Sequence, residues 1–277
     1  MSAAGSHHDL YQLLASASAA QVNPLAAGLL ETLDDPRFGA LRDAVLDQAH
    51  LFPGASALEL GCGPGMLLEG VMERVGAEGR LLGLDLNPHF IAVAERRAEM
   101  LLLANARFLT GDCHALPCAD GEFDAVLAER LLMHVAPMAS VVAEVARVLS
   151  VGGRAVFSDH DPYTAFAAGP EPTITSRVLA SAAAVYASPQ AARDTARACV
   201  AAGLYVERVF GYLLVLEDPQ LATARGVAKV WAEHATLGRA VERGTVQRWL
   251  QAVERAARDG RFLISIPHII TVATRVR

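Results

Sequence analysis

Basic runs, aromatic rings and long apolar stretches are all scarce in this chain. Aromatic residues make up 6% of it, and 24 Lys and Arg stand against 30 Asp and Glu, for a net charge of −6. Nucleic-acid binding rests on clustered positive charge, often interleaved with aromatic residues. No such run or stripe occurs, so no nucleic-acid partner is expected. A spanning helix needs about 18 consecutive apolar residues, and no charge-free window approaches that, so no membrane partner is expected. Cys62, Cys113, Cys118 and Cys199 are scattered without a C-x-x-C pair. They read as reduced thiols rather than as a disulfide framework or a zinc site. His7, His8 and Asp9 near the N-terminus are not a basic segment backed by an apolar core, so a signal peptide is not expected. The expected location is cytoplasmic.

What the chain does have is apolar surface and glycine. At 277 residues, 53% of them hydrophobic, one large domain with helical additions is expected. The most informative stretch is Ala57-Leu58-Glu59-Leu60-Gly61-Cys62-Gly63-Pro64-Gly65. It reads as a buried strand entering a glycine turn, with a helix over Met66–Val75 behind it. Glycines let backbone approach a ligand closely and accept positive φ. The N–H groups of a helix N-terminus suit an anionic group, and Glu59 suits a cationic one. The ligand so described carries both charges.

From residue 55 strands and helices alternate. Strands are expected at Ala55–Leu60, Arg80–Leu86, Ala106–Thr110, Phe123–Ala128 and Arg154–Ser158, with helices at Met66–Val75, Pro88–Leu103 and Leu131–Leu149 between them. This pattern predicts a parallel, doubly wound α/β sheet. Before it, helices are expected at 9–20, 24–33 and 38–51, so residues 1–52 form a helical N-terminal lid. After it, helices at 173–187, 189–202, 219–237 and 241–258 accompany two further strands, Tyr205–Leu216 and Phe262–Thr274. The main domain is 53–277, with lid insertions at about 160–188 and 218–260.

Three carboxylates end three successive strands. Glu59 precedes the glycines, Asp85 ends the second strand, and Asp112 ends the third in Gly111-Asp112-Cys113. In such sheets the strand carboxyl ends form the binding crevice. Asp85 there can accept both hydroxyls of a ribose, and Asp112 an exocyclic amine of adenine; the alternative is that they serve only as turn and cap residues. A dinucleotide fingerprint would need glycine where Met66 stands, and Pro64 removes an N–H that a pyrophosphate would use.

The Glu59–Gly65 motif with Asp85, Asp112 and Glu144-Val145-Ala146-Arg147-Val148-Leu149-Ser150-Val151-Gly152-Gly153 resembles class I S-adenosylmethionine-dependent methyltransferases. Gly111-Asp112-Cys113-His114-Ala115-Leu116-Pro117, then Asp120-Gly121-Glu122-Phe123-Asp124-Ala125-Val126, is similar to their small-molecule branch, which includes quinone-biosynthesis and natural-product enzymes. The resemblance covers about residues 55–160. It implies a Rossmann-like, seven-stranded, mostly parallel sheet with an antiparallel last strand, S-adenosyl-L-methionine as cofactor, and a small-molecule acceptor. Glu59, Gly61, Cys62, Gly63 and Gly65 would hold the methionine portion. Asp85 would take the ribose, Leu86 the adenine face, and Asp112 with the Cys113 backbone the adenine edge. Glu129 would lie near the sulfonium.

His134 is the candidate general base and Asp159, at the end of the fifth strand, its orienting partner. The alternative for His134 is a helix-start residue that is exposed or packed against the lid. Tyr11, His114 and His160 are candidate acceptor contacts. Asp159-His160-Asp161 contains metal-ligand types, but successive strand residues point in opposite directions, and no metal is expected. The lids are rich in Ala, Leu and Val, which favours a largely apolar acceptor, with O-methylation preferred to C-methylation. The rival readings are a cyclase using the same cofactor, a non-catalytic binding protein, and, further off, a nicotinamide dehydrogenase. A homodimer stays open as the assembly.

Overall fold

The computed structural model of the chain describes residues 17–218, 220 and 222–277, residues 222–225 by their backbone alone. Tyr11, His7, His8 and most of the first expected helix lie outside the described residues. The continuous apolar runs become β1 (Ser56–Leu60), β2 (Arg80–Asp85), β3 (Ala106–Thr110), β4 (Phe123–Glu129) and β5 (Leu149–His160). All five are parallel, in the order β3-β2-β1-β4-β5. A two-residue strand β6 (Phe166–Ala167) comes next, then β7 (Tyr205–Leu216) and β8 (Ile264–Thr274). β8 runs antiparallel to β5 and pairs along its other edge with β7. The expected seven strands and antiparallel last strand are present, with β6 added where it meets Ile264 and Ser265.

Helices cover both faces because the strands are apolar on both. On one face α2 (Pro36–Leu46), α3 (Leu68–Val75) and α4 (Pro88–Met100) pack Leu41, Val71 and Ile91 against Ala57, Leu81 and Leu127. On the other, α5 (Met138–Val148) and α7 (Ala191–Ala201) pack Val141, Val145 and Cys199 against Leu58, Val126 and Phe157. Each such side chain contributes about 1.5–3 kcal/mol on burial. α6 (Pro172–Ala183), α8 (Ala222–Gly238) and α9 (Arg243–Arg258) form a third cluster with the ends of β7 and β8, centred on Trp249. α1 (Ala19–Leu30) rests Val22 and Ala26 on Phe90 of α4.

Some boundaries differ from expectation for local reasons. Pro24 lies inside α1 rather than in a first turn, so the helix expected at 24–33 begins earlier, at Ala19, behind the Ser18 cap. Asp35 caps α2 by accepting the Arg37 N–H at 3.0 Å, which starts that helix at Pro36. The helix expected over Leu131–Leu149 is broken: Leu132–His134 form a single 3₁₀ turn, and α5 begins only at Met138. Pro137 accounts for the break, because the residue before a proline is pushed out of the helical region. His134 therefore stands on a tight turn, not in the first turn of a helix.

Trp249 is 1% exposed and donates its indole N–H to Thr175 Oγ1 at 3.1 Å, joining α9 to α6. Trp249→Ala is expected to cost about 3–5 kcal/mol in guanidinium unfolding. Tyr205→Ser, at an exposed site on β7, is expected to stay within about 0.5 kcal/mol.

Candidate active site

The carboxyl ends of β1, β2, β4 and β5 open into one cleft of about 630 Å³, roofed by α1 and α8. Its first wall is the turn after β1. Gly61 sits at φ +65°, and a Cβ there would come 2.8 Å from Leu131 Cδ1. Gly63, at φ +51°, has nothing within 4 Å on its Cβ side, and that open space is part of the cleft. Left-handed backbone without side chains at these two points is what glycine permits. The turn is held from two sides. Asp85 Oδ2 accepts the Gly63 N–H at 2.9 Å, and Asp85 Oδ1 accepts that of Asn87 at 2.9 Å. From below, the buried Arg97 of α4 donates to the carbonyls of Pro64, at 3.0 Å, and Gly65, and to Glu69 Oε1 at 2.6 Å.

Carboxyl groups crowd this half of the cleft. Glu59 is 3% exposed, and its Oε2 has no hydrogen-bond partner. Burial, with Glu129 and Asp85 nearby, raises its pKa to about 8. Burial also raises that of Asp85. Glu129 Oε2 is likewise unpartnered, while Oε1 lies 3.3 Å from Arg130 Nε. Leu86, Cys62 and Cys113 line the same half. Asp112 stands at the exposed rim between Gly111 and Cys113, and its Oδ1 meets both His114 N at 2.9 Å and His114 Nδ1 at 2.7 Å. One ligand atom from each of Asp112, Cys113 and His114 lies within 4.8 Å of the others. The His114 nitrogen nearest Asp112 is already engaged with it.

The other half is lined by histidines. His134, His160, His234 and His268 all border the cleft with Tyr186. The Tyr186 ring is met edge-on by His134 at 5.2 Å, His234 at 5.6 Å and His160 at 5.8 Å, and His160 lies 6.0 Å from His268. Burial lowers all four pKa values, to about 4 for His134 and His268, with Arg130 adding to the effect at both. His134 is thus neutral at pH 7 and well below the unperturbed value of about 6.5. Asp159 does not orient that ring: its Oδ1 accepts the Met133 N–H at 3.3 Å and its Oδ2 is unpartnered, so it fixes the 3₁₀ turn that carries His134. Its own pKa rises by burial to about 7.

His114 does not line the cleft, and His160 does. Sequence reasoning missed Arg97, His234, His268 and Tyr186. Arg97 was detectable as the one charge among Phe90, Ile91, Ala94 and Ala98 on the buried face of α4. His268 and Tyr186 carry no comparable local signal, because tertiary packing alone brings them here.

A doubly wound sheet with a glycine turn and acidic strand ends, closed by an antiparallel last strand, defines the Rossmann-like methyltransferase class. The chain belongs to the methyltransferase domain family, which matches residues 51–211. It is 35% identical over 103 residues to a demethylmenaquinone methyltransferase of Lactococcus lactis, covering 37% of this chain and 41% of that one. It is 31% identical over 139 residues to a 2-phytyl-1,4-naphtoquinone methyltransferase of Thermosynechococcus vestitus, covering 50% and 61%. The matches thus span less than two thirds of these relatives' length. Among solved structures, a geranyl diphosphate methyltransferase with S-adenosylmethionine superposes at TM-score 0.55 and 21% identity, covering 86% of this chain and 85% of that one. The [4+2]-cyclase SpnF superposes at 0.57 and 20%, covering 86% and 80%; both show the fold. The cofactor of this class is S-adenosyl-L-methionine. The cleft fits it, since two buried carboxyls each keep an oxygen unpaired, and a ligand bearing an ammonium and a sulfonium satisfies both.

The Glu59 shift has a testable consequence. A carboxyl at about 8 when folded and 4.5 when unfolded keeps its proton longer in the native state. Its contribution is full below pH 4.5 and lost as pH rises through 8. Glu59→Gln removes that loss, so the ligand-free variant is expected to melt increasingly above the wild type as pH rises across this window. Parallel melting curves would contradict the assignment.

Proposed function

We propose that the chain transfers a methyl group from S-adenosylmethionine to a small, largely apolar organic acceptor, on oxygen in preference to carbon. The observation that carries this reading is the unpartnered Oε2 of Glu59, buried at the foot of the glycine turn and facing the cleft. Glu59 and the turn Gly61-Cys62-Gly63-Pro64-Gly65 hold the methionine portion. Asp85 takes the ribose hydroxyls with lone pairs left over from its two backbone N–H bonds, and Leu86 lies on the adenine. Asp112 and the Cys113 backbone meet the adenine edge, and Glu129 faces the sulfonium. Residues 1–52 act as the N-terminal lid, and 160–188 and 218–260 as the acceptor lids of a main domain at 53–277. In support, α1 and α8 contribute Leu25, Leu29, Val230 and Trp231 to the cleft.

The cofactor supplies an electrophilic methyl group with a neutral thioether as leaving group. What the protein adds is alignment and proton handling. His134 serves as the base. Held neutral by its surroundings, it keeps a lone pair available throughout the physiological range, and it takes the acceptor proton as the oxygen gives up electron density. Asp159 positions it through the Met133 N–H rather than through the ring. The quinone relatives make flat, oxygenated rings the first acceptors to try. No helix among the described residues is long and apolar enough to cross a membrane, so such acceptors reach the cleft without a spanning anchor among those helices.

Calorimetry with S-adenosylhomocysteine tests the cofactor half. Asp85→Ala is expected to raise Kd roughly ten- to a hundredfold, the loss of charge-assisted hydrogen bonds, and an unchanged Kd would discredit the ribose role. Methyl-labelled cofactor tests the transfer, because label that stays on the cofactor while the acceptor is converted would favour a cyclase. With an acceptor in hand, His134→Ala should lower kcat by about a hundredfold or more and leave cofactor affinity nearly unchanged. The acid limb of kcat/KM for the wild type should fall near pH 4, the His134 value.

A further inference from the structure

The acceptor end of the cleft holds unmet hydrogen-bonding capacity of a defined kind. His268, on β8, is 2% exposed and lies opposite His160 of β5 in the strand register. Its Nδ1 is 3.1 Å from the carbonyl oxygen of Ile266. A carbonyl only accepts, so Nδ1 carries the proton. The neutral ring then has a bare lone pair on Nε2, which has no partner in the protein. An acceptor of this kind, unpaired within the protein, suits an O–H or N–H brought by a ligand. The neighbouring rings add unmet capacity, as donor or acceptor according to tautomer: His160 Nε2, His134 Nδ1 and His234 Nδ1 are also buried and unpartnered. Around them the wall is apolar, formed by Leu214, Val230, Trp231 and Ile266. Among the described cleft residues Arg130 is the only Arg or Lys, and it sits beside Glu129. Its Nε has no hydrogen-bond partner, and its charge acts on His134 and His268.

We infer that His268 and His160 are acceptor-binding residues that read hydroxyl groups, with His268 Nε2 accepting from one of them. The acceptor is then a largely apolar molecule carrying two neighbouring hydroxyls, such as a catechol-type ring. This rests on the methyl-transfer reading and narrows its substrate class. A fully methylated counterpart leaves His268 Nε2 unpaired and binds poorly.

The test uses the full chain saturated with S-adenosylhomocysteine, whose own Kd is measured first. Failure to bind that cofactor product sinks the methyltransferase reading and is distinct from any failure in the acceptor titrations. The complex is titrated anaerobically with 1,2-dihydroxynaphthalene and with 1,2-dimethoxynaphthalene. The diol is expected to bind at least about tenfold more tightly, as sites built for a hydroxyl reject analogues without one. His268→Leu should abolish that preference, and His268→Gln, which keeps an accepting oxygen, should restore part of it. Nitrogen-15 histidine spectra of the wild type supply a readout that does not depend on the variants folding. They should show His268 protonated on Nδ1, with its Nε2 resonance moved by the diol and not by the dimethoxy compound. Equal affinity for the two probes, binding of neither, a proton on Nε2, or a preference that survives in His268→Leu would each overturn the inference.

Discussion

One carboxylate, that of Asp85, joins three parts of the structure around the cleft. One of its oxygens accepts the Gly63 N–H, which locks the left-handed turn after β1 to the end of β2. The other accepts the N–H of Asn87, whose side chain caps α4 through His89 N at 2.8 Å and reaches the carbonyl of Ala17 at 3.2 Å, just ahead of α1. Turn, helix and roof are thereby referred to a single half-buried acidic group. Arg97 completes the frame by holding the carbonyls on the far side of the same turn. Without these ties three glycines in near succession would be a flexible segment; with them they form a rigid edge.

The cleft divides into two electrostatic regimes along its length. At the glycine turn the protein buries acids and leaves oxygens unpaired, which raises proton affinity and prepares for a cation. At the far end it buries imidazoles and leaves ring nitrogens unpaired, which lowers proton affinity and prepares for neutral donors. Desolvation drives both, with opposite sign because the charged forms are opposite. Glu129 and Arg130, adjacent in sequence at the end of β4, stand at the boundary.

The sheet and the glycine turn were legible because each depends on neighbours in sequence: apolar runs, glycines at alternate positions, a carboxylate at each strand end. The family resemblance added the antiparallel last strand, which no local pattern encodes. Expectation failed where tertiary contacts decide. The helix expected over Leu131–Leu149 ignored what Pro137 does to its predecessor, and the resulting 3₁₀ turn changes how His134 is presented. Asp159 and His134 looked like a pair from their places at strand ends, yet the nearer backbone N–H of Met133 takes the carboxylate. His268 was invisible, because it stands next to His160 only through a pairing that brings together strands far apart in the chain.

That pairing also sets an order in time. β8 lies in the interior of the sheet between β5 and β7, although it is the last strand to be made. During synthesis β1 to β4, with the glycine turn and its acids, leave the ribosome long before the strand bearing His268. A nascent chain can therefore complete its nucleotide-type pocket while the second pocket still lacks a wall. Over that interval the inner edge of β5 and the whole of β7 offer unsatisfied backbone to any passing strand. Long-range closure by β8 is the step that ends this exposure.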